Sequence, residues 1–410
     1  MTGLGEPAPA GITGEGRLRA FVRERAGGLP GAFWVLWSGS LVNRLGAMAN
    51  PFLSLYLTGA RHFPVTTAGV VLASGGAGTV ISRPLGGYLG DRFGRRAALI
   101  GGTLANSATV LALGHAHSLP VLAAACFTLG ITLDLFRPTA RALVADAVPT
   151  TDRTRAYGLL LWAINLGFSV AVLLGGHLAA DGFGPLFQID AGACAVFGLL
   201  VWLAAPETRP TTRERAADGF RTVLRDRVMV AFAGIVVLYA VVFQQTFTTL
   251  PLAMRAAGMS TGAYGTVLAL NGIVVIATRP LIGHRLDGRD KSRVLAFGLT
   301  LAAAGHALAA TAGSATGYGL AVAVATLGET PVFALTAAVV ADLAPPALRD
   351  RYNDLIGMAW GTGFLIAPLV GTRLLVIGPT PLWLSCAALS LLAGLGQLAL
   401  APALRRRASR

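Results

Sequence analysis

The same short pattern occurs twice in this chain of 410 residues, each time at an offset of 196 positions. Gly69-Val70-Val71-Leu72-Ala73, Arg83-Pro84-Leu85, Gly87 and Asp91 are matched by Gly265-Thr266-Val267-Leu268-Ala269, Arg279-Pro280-Leu281, Gly283 and Asp287. Ala145-Asp146 and Ala341-Asp342 keep that offset, as do Arg153 with Arg349, Arg155 with Arg351, Gly167 with Gly363, and Gly175 with Gly371. One unbroken offset over that length means two copies of one unit. Whatever the first copy folds into, the second must fold into as well.

Hydropathy says what the unit is. Mean hydropathy is +0.65, with 54% of residues hydrophobic and 13% charged, the profile of a chain that crosses a membrane many times. A spanning helix needs about 20 apolar residues. Runs of that kind cover 33–57, 67–90, 97–114, 119–143, 156–178 and 186–205, then 228–250, 262–284, 294–312, 317–341, 353–376 and 381–403. The expected fold is an all-α membrane protein of twelve transmembrane helices in two pseudo-symmetric six-helix bundles. The expected layout is a tail at 1–32, a first bundle at 33–205, a linker at 206–227, a second bundle at 228–403 and a basic tail at 404–410.

Charge sets the orientation. With the amino terminus inside, the cytoplasmic segments hold Arg92, Arg95, Arg96, Arg153, Arg155, six linker arginines, Lys291 and the Arg405–Arg407 run, while the other side keeps Arg61 and Arg255. Positive charge is retained on the cytoplasmic side, so both termini are expected there, in a plasma (inner) membrane. The net charge is +14, but 32 of the 33 bases are arginine, a coding bias that does not call for a nucleic-acid partner. Cys126, Cys194 and Cys386 all fall in apolar runs, which predicts neither a disulfide framework nor a metal site. Residues 1–29 are polar, so no cleavable leader is expected. A nucleotide-binding loop is missing too, which argues against a pump driven directly by ATP.

Between the second and third runs lies Gly87-x3-Asp91-Arg92-x-Gly94-Arg95-Arg96, read as a tight glycine hinge held at the inner face by arginine. This stretch, with the six-plus-six layout, resembles the major facilitator superfamily over essentially the whole chain. Asn43-Arg44-Leu45-Gly46 with Pro51-Phe52-Leu53, and Arg137-Pro138 with Ala145-Asp146 and Pro149, resemble its twelve-span drug:proton antiporter branch. There is a departure in the fifth span. Gly158, Gly167, Gly175 and Gly176 match that branch's signature, but its Gly-Pro pair is replaced by Ala171-Val172. The resemblance implies two bundles rocking about a central cavity. It also implies a gating role for Gly87, Asp91, Arg92, Gly94, Arg95 and Arg96, with Asp91 meeting the start of the eleventh span, and a weaker copy at Asp287.

Coupling residues should be charged groups deep in the spans, since a charge at the bilayer centre costs about 2.5–3.5 kcal/mol even on lenient scales. Asp134 and Arg137 stand at i and i+3 in the fourth span. They read either as a proton-carrying acid tuned by arginine or as a fixed ion pair. Glu329 is the lone acid of the tenth span, either a proton carrier or an acid satisfied by a neighbouring helix. Asn43 and Arg44 are candidates for substrate contact or for interhelical bonding. So are Gln244 and Gln245, beside Tyr239. Trp37, Trp162 and Trp360 fall in the spans that the family uses to line its cavity, and read either as packing or as ligand contacts.

The reading is a secondary transporter, a monomer without cofactor or metal and not an enzyme, that exchanges protons for an amphipathic small molecule from within membrane lipid. A uniporter or symporter importing a sugar or peptide is the alternative, with a transporter-like receptor or membrane enzyme third.

Overall fold

The computed structural model describes residues 27–135, 148–204, 219–286 and 289–408. Every regular element among them is helical. The long helices of the first half are α1 Gly31–Gly46, α2 Val65–Phe93, α3 Arg95–His115, α4 Leu119–Leu135, α5 Arg153–Asp181 and α6 Gly184–Ala204. Those of the second are α7 Arg227–Thr248, α8 Thr261–Leu286, α9 Lys291–Ala309, α10 Ala315–Leu343, α11 Arg349–Ile377 and α12 Pro379–Ala408. Among the described residues, ten of these are long and apolar enough to cross a membrane, and α4 contributes a shorter apolar stretch, Leu119–Leu133.

The duplication is written into the helix starts. Gly31 and Arg227, Val65 and Thr261, Arg95 and Lys291, Leu119 and Ala315, and Arg153 and Arg349 are each 196 positions apart. In the first half, α1 packs on α5 and α6, α3 on α4 and α6, and α2 on α4. In the second, α7 packs on α11 and α12, α9 on α10 and α12, and α8 on α10. The halves meet along α2 with α11 and along α5 with α8. The repeat exchanges α2 with α8 and α5 with α11, so these two seams are copies of each other.

Two local features differ from the sequence reading. The first run, read as one span over 33–57, is broken. Ala47 leaves the helix at ψ 60°, and the chain resumes as short helical turns over Asn50–Ala60. Pro51 opens the resumed stretch, where its missing N–H is no loss. The seventh helix repeats the device, with Thr249 followed by Leu250–Ala256 and Pro251 at its start. The hinge after α2 is also smaller than expected. Gly87 and Asp91 lie inside α2, and the whole reversal is made at Gly94, whose φ of +89° suits a residue without Cβ.

Call the face that carries Gly31 and Ala408 the terminal face, and its opposite the far face. The closest approaches between halves run from the far face to mid-helix. A Cβ on Gly76 would fall 2.2 Å from the Leu365 nitrogen, and one on Gly176 2.8 Å from the Thr261 carbonyl oxygen. Small residues are what allow backbones this close without a hydrophobic drive between helices. Thr261 donates to the Gly176 carbonyl at 2.8 Å, and the Phe52 and Tyr264 rings meet edge-on at 5.4 Å. On the terminal side of that seam, α2 exposes Ile81, Tyr88 and Phe93.

Charge is unevenly shared between the faces. The far face carries Arg61 and Arg255, and Arg373 lies one turn before the end of α11, a third base that the sequence count left out. The terminal face is laced by ion pairs. Asp226 caps α7 and accepts from Arg407 and from Tyr352 at 2.8 Å. Asp290 caps α9 and pairs with Arg405 at 3.5 Å, and Lys291 pairs with Asp342 at 2.5 Å.

Candidate functional site

Glu329 lies mid-way along α10 and is 5% exposed. Its carboxylate accepts from Asn271 of α8 at 3.0 Å, and the same amide donates to Thr326 Oγ1 at 2.8 Å. Pro331, two residues on, gives the Leu327 carbonyl no donor, so α10 is loosened at the turn that carries the acid. A small cavity lies against this group, lined by Asn271, Thr326, Glu329, His306, Tyr318 and Trp383. It offers about 20 Å³ to the centre of a water molecule, enough for about one water.

One turn beyond Glu329 stands Phe333, stacked on Trp360 of α11 with centroids 5.2 Å apart and planes 10° from parallel. Tyr239 and Phe243 of α7 meet both rings edge-on, at 6.0 and 5.8 Å for Tyr239 and 5.3 and 5.6 Å for Phe243. Phe364 extends the cluster from Trp360, and Phe247 carries it to Phe168 of the first half at 6.2 Å. Such edge and stacked geometries add about 0.5–1.5 kcal/mol per pair beyond burial. The Tyr239 hydroxyl, buried in this cluster, finds no hydrogen-bond partner among the described residues. A buried donor left open usually has a use. The arrangement joins a flat apolar surface, an open hydroxyl and a carboxylate within a turn or two of helix.

The sequence candidates divide. Tyr239 and Trp360 belong to the cluster, and Gln244 is half-buried on α7. Gln245 is turned the other way: its amide donates to the Ala367 carbonyl at 2.9 Å, and its oxygen accepts from Thr249 at 2.9 Å. That ties α7 to α11 and leaves nothing for a ligand. Asn43 is likewise buried, donating to Cys194 Sγ of α6 at 3.3 Å, and Trp37 donates to the Leu159 carbonyl at 2.9 Å, joining α1 to α5. Arg44 is half-buried near the end of α1, within electrostatic reach of Asp190. Trp162 is 51% exposed on α5.

Among the gating candidates, Arg92 donates to the Tyr88 hydroxyl at 2.5 Å and Arg96 to the Trp202 carbonyl of α6. Arg137 and Asp287 lie outside the described residues, as do the side chains of Asp91, Arg95 and Asp134. One buried acid was passed over in the sequence. Asp190 in α6 is 6% exposed, and its signal was plain: a carboxylate inside an apolar run.

Two bundles of membrane-length helices related by an internal repeat, with polar groups buried at mid-helix, define a membrane transporter fold. The family model described as "Major Facilitator Superfamily" matches residues 36–368 and 246–410. The chain belongs to that superfamily, whose members carry small molecules across membranes. It is 26% identical to the MFS-type transporter YqjV of Bacillus subtilis (strain 168), over 82% of this chain and 85% of that protein. It is 25% identical to a Na(+), Li(+), K(+)/H(+) antiporter of Planococcus maritimus, over 78% and 84%. A shorter match, 28% over 45% of this chain and 46% of the relative, is to the multidrug resistance protein MdtH of Salmonella arizonae (strain ATCC BAA-731 / CDC346-86 / RSK2980). A crystal structure of an auto-inhibited POT family peptide transporter shares the fold with a TM-score of 0.77 at 17% identity, covering 91% of this chain and 97% of that one.

Proposed function

We propose that this transporter exports an amphipathic small molecule, drug or metabolite, in exchange for protons by alternating access. The observation that carries the proposal is Glu329, buried in α10 one turn from the Phe333–Trp360 stack. The rings and the open Tyr239 hydroxyl would hold the apolar body and a polar edge of the substrate, and the carboxylate would take either a proton or a substrate cation. Antiport follows from that competition. A proton gradient supplies about 1.4 kcal/mol per pH unit and about 2.3 kcal/mol per 100 mV. Relatives with antiporter and multidrug names support the direction. The basic terminal face supports cytoplasmic termini in a plasma membrane. Both seams close within one chain, which supports a monomer.

The test is flux into inverted vesicles with Glu329→Gln. The amide keeps an acceptor for Asn271 but does not titrate, so uptake driven by a pH gradient should vanish while substrate counterflow persists. Retention of pH-driven uptake would exclude Glu329 as the carrier. A second reading, uniport or import of a sugar, peptide or similar nutrient, is favoured by α5, which runs unbroken through Ala171-Val172 where the antiporter branch has its Gly-Pro pair. Counterflow equal with and without a pH gradient would select it.

A further inference from the structure

A chain of buried polar groups runs through the first half and ends on Asp190. Thr132 of α4 donates to Asn106 Oδ1 of α3 at 2.9 Å, and the Asn106 amide donates to Cys194 Sγ of α6 at 3.1 Å. Asn43 of α1 donates to the same sulfur, and Cys194 donates to Asp190 Oδ1 at 3.7 Å. The other carboxylate oxygen, Oδ2, accepts from the Ala49 N–H at 3.1 Å. The amides of Asn106 and Asn43, the Cys194 thiol and the Ala49 N–H all point toward the carboxylate. Exposure is 6% at Asp190, 5% at Asn43 and 2% at Asn106, so no bulk water substitutes for these bonds.

The place where the network ends is informative. Ala49 lies in the break of α1, between Ala47, which leaves the helix, and Pro51, which restarts the chain. Backbone groups freed by a break inside a membrane must find partners in the protein, and for Ala49 that partner is ionisable. Directly after the break come Pro51, whose carbonyl accepts from Tyr264 at 3.2 Å, and Phe52, whose ring meets the Tyr264 ring. Those contacts belong to the far-face seam between the halves. The carboxylate is therefore two residues from the first half's side of the closed gate.

We propose that Asp190 is a second coupling carboxyl: ionised, it holds the α1 break and with it the far-face seam, and on taking a proton it releases both. The proton comes from water and returns to water, and no bond to substrate is made. A carboxylate accepts on both oxygens with its charge behind each bond. The neutral acid keeps one uncharged acceptor and turns the other oxygen into a donor. The nearest partner for that donor, the Cys194 sulfur, already accepts from Asn43 and Asn106, so the bond to Ala49 weakens. The charged and titratable groups facing Asp190 are Arg44 from α1 and Cys194 from α6, while from α3 the uncharged Asn106 and Ser107 bond its neighbours, the Cys194 sulfur and the Ala191 carbonyl. Asp190 lies six residues into α6 from the far face, a depth of about 9 Å at about 1.5 Å per residue. It answers to protons on that side, whereas Glu329 sits at mid-helix. This role rests on the proton-coupled reading above.

The seam readout needs no substrate. Spin labels on Asp181→Cys and Ala257→Cys, exposed far-face positions in the two halves, report the seam in lipid nanodiscs, since Cys126, Cys194 and Cys386 are buried and unlabelled. In the parent protein, the ratio of far-open to far-closed should rise about tenfold between about pH 8 and about pH 5, the equivalent of about 1.4 kcal/mol. Asp190→Asn is uncharged at every pH, like the protonated acid, so its ratio should stay flat with pH. Asp190→Glu should restore the response. Glu329→Gln should lose pH-driven flux yet keep the far-face response, which separates the two carboxyls. If Asp190→Asn responds to pH as the parent does, or if the parent shows no response, the proposal fails.

Discussion

The Tyr264 hydroxyl on α8 lies 3.2 Å from the Pro51 carbonyl, so one side chain of the second half closes on the broken first helix of the other. The same hydroxyl is 3.2 Å from the Thr246 carbonyl of its own half, and the ring is 1% exposed. Tyr264→Phe keeps the ring packing and removes the polar tie. A buried hydrogen bond contributes about 1 kcal/mol net, so the far-open fraction should rise about fivefold. Accessibility of a far-face cysteine to a membrane-impermeant maleimide measures it.

Gly76 sets how closely the halves can approach. In Gly76→Val the new side chain meets the backbone of Phe364 and Leu365, which cannot rotate aside. The seam should be held open, with flux lost by more than about tenfold while the protein still inserts and folds; overpacking of this kind costs about 1–3 kcal/mol in the closed state alone. Transport assays together with size-exclusion profiles in detergent distinguish the two effects.

Asp226 gives a pH dependence outside the membrane. Partial burial pushes its carboxyl up, but hydrogen bonds from Arg407, Tyr352 and the Met229 N–H outweigh this and leave it below the usual carboxylate value. A depressed carboxyl stabilises above its unfolded value of about 3.9 and loses that contribution as pH falls through the folded value. Asp226→Asn should therefore lower the melting temperature of the purified protein at neutral pH. The gap to the parent should close on acidification below about pH 4.

Trp360 is the centre of the ring cluster. Trp360→Ala removes partners from Phe333, Phe243, Tyr239 and Phe364 together. Ring contacts of about 0.5–1.5 kcal/mol each would raise KM for an aromatic substrate about tenfold or more, with a smaller change in kcat. Tyr239→Phe leaves the stack intact and should raise KM only for substrates with a polar edge. Initial-rate uptake of paired substrates tests both.

The offset of 196 was legible because arginines at helix starts and glycines at close helix contacts, such as Gly167 against Leu41 and Gly363 against Ala240, are constrained in both copies. The structure carries the offset to the residue at Val65 and Thr261 and at Arg153 and Arg349, where the hydropathy spans begin two to four residues late for three of them and one residue late for Thr261. Which way a polar residue points was not legible. In helices that are apolar nearly all round, Asn43 and Gln245 look like cavity groups until the neighbours that bind them, Cys194 and Ala367, are placed. The break in α1 was hidden for a related reason. Asn50-Pro51 allows a helix to restart as well as to stop, and the stop is seen only in the structure, where Ala47 leaves the helix and the Ala49 N–H turns to Asp190.

Mid-helix packing adds one more constraint. Gly361 meets Val80 at the inner margin of the seam, where a Cβ would fall 2.7 Å from the Val80 nitrogen. If the halves tilt to shut the terminal face, the far contacts separate and new ones form at the other ends of the same four helices, but the crossing point stays engaged. Val80 and Gly361 would then act as a fulcrum. A substitution there weighs on both postures at once, altering how fast the molecule tips more than which way it rests.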